Sequence, residues 1–280
     1  YENLEVVVSD DGSSDRTVDM LSELRDLYPG RVNLLANPVN RGITRNCNIG
    51  LAQCDGELIA FMGGDDVLYR TKISTQVKAF QRNPNLVMCY HPCHLLTATG
   101  VTGVVGHRKK DLVRDVYDMI SKYGAEIPGP VAMVARRAIP ERGFDEAIPV
   151  ASDWMLYIDV CWKGEIERID EILSAYRRHE GNVGRRVHTF ADDFLKTVDL
   201  IKERYPDRRA HEAADRGARR FLLGIIYRSI LESESQLLAG YLAEYQKRGG
   251  RFGAVIKALG RLDAAPAILS RLRGFLKKFL

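Results

Sequence analysis

The sequence predicts an α/β fold: a mixed, mostly parallel sheet flanked by helices, followed by a helical extension. Short apolar runs at residues 4–9 and 58–62 stop at paired acids, Asp10-Asp11 and Asp65-Asp66. Apolar runs of about four to eight residues bounded by turn formers read as buried strands. Between them, residues 16–27 and 43–53 carry helical spacing, as the crossovers of a parallel sheet require. Beyond residue 188 the pattern is helical throughout, so the expected division is an α/β body at 1–187 and a helical extension at 188–280.

Composition narrows the class. A chain of 280 residues can bury one large core plus an extension. Its 45% hydrophobic and 28% charged residues are ordinary for a globular protein. The formal net charge of +4 is mild and lacks the concentrated basic face of a nucleic-acid binder, so no such partner is expected. Five scattered cysteines argue against a disulfide framework and for a reducing compartment. No apolar run nears the roughly 18 residues of a membrane span. Tyr1 carries no leader, and a cytoplasmic location is the expectation.

The elements follow in order. The strand at 4–9 leads to a helix that Ser13 or Ser14 can cap, with Asp15 in the first turn where the helix dipole favours an anion. Leu21, Leu24 and Leu27 give it helical spacing, and Pro29-Gly30 ends it. A strand at 32–36 runs into the turn formers Asn37-Pro38 and Asn40-Arg41-Gly42. Ile43, Cys47 and Leu51 mark one face of the next helix. After the strand at 58–62 come a helix at 73–81 and a strand at 86–90. Residues 94–106, rich in Thr, Val and Gly, read as a hairpin or irregular loop. A helix at 111–122, a strand at 131–135, a helix at 153–163 and short strands at 166–169 and 172–176 complete the body.

In an open α/β sheet, ligands lie beyond the carboxyl ends of the strands. Both acid pairs fall there. A carboxylate at that edge can accept from a nucleobase N–H or a ribose hydroxyl, and another can hold a hard divalent cation that bridges to phosphates. Asp10-Asp11-Gly12 alone reads equally as a turn. Asp153, opening the run Trp-Met-Leu-Tyr-Ile, reads as a helix N-terminus, with Ser152 or Asp153 as the cap. That role is compatible with presenting a carboxylate to a substrate.

Taken together, VVVSDDGSSDRT, NRGITRNCNIGLAQCDGELIAFMGGDD, ASDWMLYIDVCWKG and YRRHEGN resemble family 2 glycosyltransferases of the GT-A type, a Rossmann-like fold, over about residues 1–185. The resemblance implies an inverting, metal-dependent transfer of a sugar from a nucleotide sugar, a UDP-sugar first, to a hydroxyl acceptor. It implies Asp11 on the uracil ring with Asp10 beside it, and Asn40 and Asn48 at the nucleotide. Asp65 falls toward the ribose and Asp66 on a manganese or magnesium ion at the diphosphate. Asp153 is the expected catalytic base. His179 falls near the diphosphate, as a second metal ligand, and Arg45, Arg177 and Arg178 are candidate phosphate contacts. The chain departs from the family's Asp-x-Asp-Asp form at Gly63-Gly64, which leaves Asp65 to take over the first acid's contact. Where the family often has Arg-Asn, the chain has Cys47-Asn48. Family members also begin some tens of residues earlier, with a strand and helix that complete the nucleotide pocket, so the chain is read as lacking them. The rival expectations are a nucleotide-sugar-binding module without turnover and, more weakly, a metal-dependent phosphohydrolase.

Other features carry blander readings. Cys89 to His94 lacks the paired spacing of a zinc site. Trp154 and Trp162 read as core on an apolar helix. In residues 268–280, Ile268, Leu272, Phe275, Leu276 and Phe279 follow helical spacing beside Arg271, Arg273, Lys277 and Lys278. Such a helix fits peripheral contact with an anionic inner-membrane face, which would suit a lipid-linked glycan acceptor, or docking on the body or a second subunit.

Overall fold

The structure, a computed structural model, describes residues 1–106, 112–122, 127–179, 181, 187–231 and 235–250. The chain opens with β1 (Val6–Asp10), α1 (Thr17–Leu27) and β2 (Val32–Ala36). The two strands pair in parallel, Val6 opposite Val32 through Asp10 opposite Ala36. The helix is the crossover between them that parallel strands require. Burial here differs from the sequence expectation. Within β1 only Asp10 is buried, and α1 has no buried residue. Met20, Leu24 and Leu27 are exposed. Among the described residues β1 has one strand partner, and a strand is enclosed only when both edges and a face are covered. Nor does a serine cap α1: Asp15 accepts the Thr17 N–H instead, and Ser13 is engaged with Asp10.

Next come α2 (Ile43–Leu51), β3 (Leu58–Ala60), β4 (Val67–Leu68), α3 (Lys72–Arg82), β5 (Leu86–Tyr90), and a hairpin of β6 (Cys93–Thr97) and β7 (Gly100–Val105). They are followed by α4 (Val116–Ser121), β8 (Met133–Ala135), α5 (Asp153–Cys161), β9 (Glu165–Arg168) and β10 (Ser174–Arg177). The hairpin settles the reading of residues 94–106: its ladder is antiparallel, with a register shift between Leu95 and Leu96. β3, β8, β5 and β9 form one mixed sheet in that order, with β8 antiparallel to both neighbours and β5 parallel to β9. Every residue of β5 is buried, as expected of a continuous apolar run with strands on both sides. α3 covers this sheet, and the core gathers Val77, Ala79, Leu86, Cys89, Met133, Ile169 and Leu173. β4, which the sequence reading missed because it is two residues long, joins a second sheet in the order β4-β10-β6-β7. α5 is buried along its length from Trp154 to Cys161, and Trp154 Nε1 donates to the Met119 carbonyl, so this tryptophan is core. All five cysteines are free thiols.

The compact units divide between Asp193 and Phe194. The second unit contains the end of α6 (Val187–Arg204), then α7 (Arg208–Leu231) and α8 (Ser235–Lys247). Leu222 and Ile226 on α7 pack with Leu238, Leu242 and Tyr245 on α8. Arg248 joins Asp199 and Glu244 beside them. Among the described residues no helix is long and apolar enough to cross a membrane. The tail at 268–280 lies outside the described residues.

Candidate active site

Asp10 ends β1 and is buried. Its Oδ1 accepts the N–H groups of Gly12 and Ser13, and its Oδ2 accepts the Ser13 hydroxyl. The Ser13 hydroxyl, followed by the two amides, holds the carboxyl below its ordinary range. Asp10 is therefore the keystone of the turn, and Asp11 is the acid presented beyond it. Gly12 is required there. Its φ is +80°, and a Cβ would stand 2.9 Å from the Asn40 nitrogen. The turn thus lies directly on the loop that starts α2. Asp11 clasps the same loop, accepting from Arg41 N at 2.6 Å and Gly42 N at 2.9 Å. Asn40 is also there, with its Oδ1 on the Gly42 N–H.

α2 is pinned to this edge by a residue the sequence reading passed over. Asn46 accepts from the Ser9 hydroxyl at 2.6 Å and from Asn37 Nδ2 at 2.8 Å, and donates to the Ser9 carbonyl at 2.9 Å. Asn48, expected at the nucleotide, has a different task. Its Oδ1 accepts the Phe144 N–H and its Nδ2 donates to the Phe144 carbonyl, tying α2 to the 143–146 loop. Two helical positions differ by about 200° around the axis, so Asn46 and Asn48 face opposite neighbours. Arg45 is exposed beside them.

The second acid pair sits in the loop between β3 and β4. Gly63 stands where the carboxylates crowd in: a Cβ there would meet Asp65 Oδ1 at 3.0 Å and Asp66 Oδ2 at 3.1 Å. A side chain at Gly63 would require both carboxylates to give by a few tenths of an ångström. Asp66 is 8% exposed, and burial pushes its carboxyl above the ordinary range, partly offset by the Arg177 N–H. The antiparallel register of β10 with β4, Ala175 opposite Val67, carries Arg177 alongside the pair. Its backbone N–H donates to Asp66 Oδ1 at 2.9 Å, and its Nε donates to the Asp65 carbonyl at 2.6 Å. His179, two residues on, places Nε2 3.0 Å from Asp65 Oδ2. Its Nδ1 accepts the Gly181 N–H, so the ring proton resides on Nε2 and is donated to Asp65. Arg178 is exposed, and its backbone N–H extends the ladder to the Leu96 carbonyl.

Asp153 is the first residue of α5, half-buried, with Oδ1 accepting the Trp154 N–H at 2.8 Å. Burial raises its carboxyl above the ordinary range. It shares its surroundings with Cys47 of α2 and Tyr157 of α5, and Cys47 also feels Asp11. The site residues therefore gather in two groups. Asp11, Asn40 and Asp153 stand around the start of α2, and Asp65, Asp66, Arg177 and His179 around the end of β10.

Among the described residues no three His, Cys, Asp or Glu side chains converge as a self-sufficient metal cage. The donor chemistry does fit a divalent ion that keeps few protein ligands. Such an ion is commonly held by one or two carboxylates plus the phosphates of its substrate. Asp66, a buried carboxylate whose charged form burial disfavours, matches that demand.

Residues 1–96 match the family described as Glycosyl transferase family 2. An uncharacterized glycosyltransferase of Nostoc is 27% identical over 191 residues, covering 65% of this chain and 58% of that protein. The glucosyltransferase WfaP of Escherichia coli, described as acting from UDP-Glc on α-D-GlcNAc-diphosphoundecaprenol, is 26% identical over 186 residues, 65% of this chain and 69% of that one. Among solved structures, a mannosyltransferase of Pyrobaculum calidifontis in complex with GDP-Man and Mn2+ superposes with a TM-score of 0.57 at 17% identity, covering 97% of this chain and 73% of that one. The chain spans 56% of the length of some of the relatives it matches. Over its residues 1–96 the chain matches glycosyl transferase family 2, and its fold is that of the GT-A glycosyltransferases.

Proposed function

We propose that this protein transfers a sugar from a nucleotide sugar, a UDP-sugar first, to a hydroxyl acceptor with inversion at the anomeric carbon. The observation that carries the reading is the buried Asp66 carboxylate beside the Asp65–His179 pair, in the loop that follows β3, where α/β folds take their ligands. Asp11 takes the uracil side and Asp65 the ribose. Asp66 would hold a manganese or magnesium ion, with His179 beside it. A divalent ion bound there supplies the positive charge that stabilises the departing diphosphate. Asp153 accepts the acceptor's hydroxyl proton as the oxygen attacks. Burial, which raises its pKa, makes the carboxylate a stronger base. The transition state carries oxocarbenium character and requires no covalent intermediate.

The name of the Escherichia coli relative favours a lipid-linked glycan as acceptor, and the manganese in the Pyrobaculum neighbour favours the metal. Peripheral membrane contact would rest on residues 268–280. The test is calorimetric titration of UDP into the protein, with and without manganese, with GDP as the control. Metal-dependent, uridine-selective binding that disappears in Asp66→Asn is the expected result. Binding that ignores the metal, or no binding of either nucleotide, refutes the reading.

A further inference from the structure

Thr44 lies in the first turn of α2 and is 2% exposed, as is Ser152. The Thr44 hydroxyl donates to the Ile148 carbonyl at 2.6 Å. A hydroxyl carries one proton, so in the 2.8 Å contact between Thr44 Oγ1 and Ser152 Oγ, Ser152 is the donor. The Thr44 N–H also donates to the Pro149 carbonyl at 3.3 Å. From the other side Asp193 Oδ2 accepts the Val150 and Ala151 N–H groups, both at 2.8 Å. Residues 148–152 are thus gripped between α2 and Asp193, and the next residue is Asp153. The Ser152 carbonyl then accepts the Leu156 N–H, so the grip passes straight into the axis of α5. Upstream, Arg41 and Gly42 are the residues that Asp11 clasps. The first turn of α2 is therefore a bracket with Asp11 at one end and Asp153 at the other.

We propose that Thr44 is a positioning residue for Asp153: through Ser152 and Ile148 its hydroxyl sets where that carboxylate stands relative to Asp11. The proposal rests on the function proposed above, which makes Asp153 the base. Thr44 touches neither donor nor acceptor in this scheme. It acts by fixing the start of α5 against the nucleotide side, where a displacement of about 1 Å can cost a hundredfold in rate. The groups that face Asp153 are Cys47 from α2 and Tyr157 from its own helix.

The experiment compares Thr44→Val, which keeps the shape and loses both hydrogen bonds, with Thr44→Ser, which keeps the hydroxyl. Each is followed by transfer kinetics and by NMR titration of the Asp153 carboxyl in 13C-aspartate-labelled protein. Thr44→Val should lower kcat about tenfold or more at unchanged donor KM, and should move the Asp153 midpoint. Thr44→Ser should restore both. Ser152→Ala, which removes one link only, should give a smaller effect in the same direction, and it decides the matter if Thr44→Val does not fold. A folded Thr44→Val with unaltered kcat and midpoint overturns the proposal. So does a loss that falls on donor KM, or a serine variant as defective as the valine. If the wild-type protein transfers no sugar, the proposed function is lost, and the titration still decides whether Thr44 places Asp153.

Discussion

Replacing Lys72 with methionine should remove a stability change confined to alkaline pH. Lys72 opens α3 and is fully buried. Its Nζ donates to Gln76 Oε1 at 2.6 Å, and Gln76 in turn donates to the Val131 carbonyl. Burial lowers its pKa from 10.5 to about 8, with the Cys89 thiol offering slight opposition. Below pH 8 the lysine is protonated in both folded and unfolded chains, and it adds no pH dependence to stability. Between pH 8 and 10.5 the unfolded chain holds a proton that the folded chain has shed, so stability rises with pH. A shift of about 2.5 units corresponds to roughly 3.4 kcal/mol across that window. At pH 7 methionine relieves a buried charge of that size but leaves Gln76 Oε1 without its donor, at about 1–3 kcal/mol, for a net gain of about 1 kcal/mol. The assay is urea unfolding at pH 7 and pH 10, followed by tryptophan fluorescence. Both tryptophans, Trp154 and Trp162, lie in the first unit with Lys72, so the signal reports the correct body. The difference between wild type and Lys72→Met cancels the groups that titrate in that range independently of Lys72, Cys89 being coupled to it. If wild type gains no more than the variant between the two pH values, the reasoning about this buried charge is wrong.

The remaining predictions concern acid stability, the turn and the base. His91 is fully buried, and burial lowers its pKa to about 4, so stability present above pH 6.5 should be lost as pH falls toward 4, by about 3.4 kcal/mol; acid unfolding of His91→Phe should be flatter. Gly12→Ala should destabilise the first unit by about 1–3 kcal/mol in urea and weaken UDP binding, because its Cβ meets the loop that Asp11 clasps. Asp153→Asn should leave UDP affinity within about twofold by calorimetry and lower transfer by about 10²–10⁴. Full turnover in that variant would remove Asp153 from the role of base.

Much of the fold was legible because strands and helices here follow period and punctuation. Apolar runs end at acids, and Pro29-Gly30 and Asn40-Arg41-Gly42 mark turns where the structure has them. The acid pairs could be picked out as candidates for the same reason: strand ends in an α/β sheet define an edge. The helix faces were harder. Asn48 and Asn46 lie two apart on α2, and nothing local says which amide meets the ends of β1 and which meets the 143–146 loop. Thr44 carries no motif, and its importance comes from Ser152, which is 108 residues away.

By itself the sequence determined most of the longer elements, the turn chemistry at Asp10 and Gly12, and the family resemblance, since these depend on residues close together in the chain. Only the tertiary structure decided which side chains are partners. The register of β10 on β4 brings Arg177 and His179 to Asp65 and Asp66 across more than a hundred residues. Burial, which moves the carboxyls of Asp66 and Asp153 and the amine of Lys72, exists only after distant segments have excluded water around them.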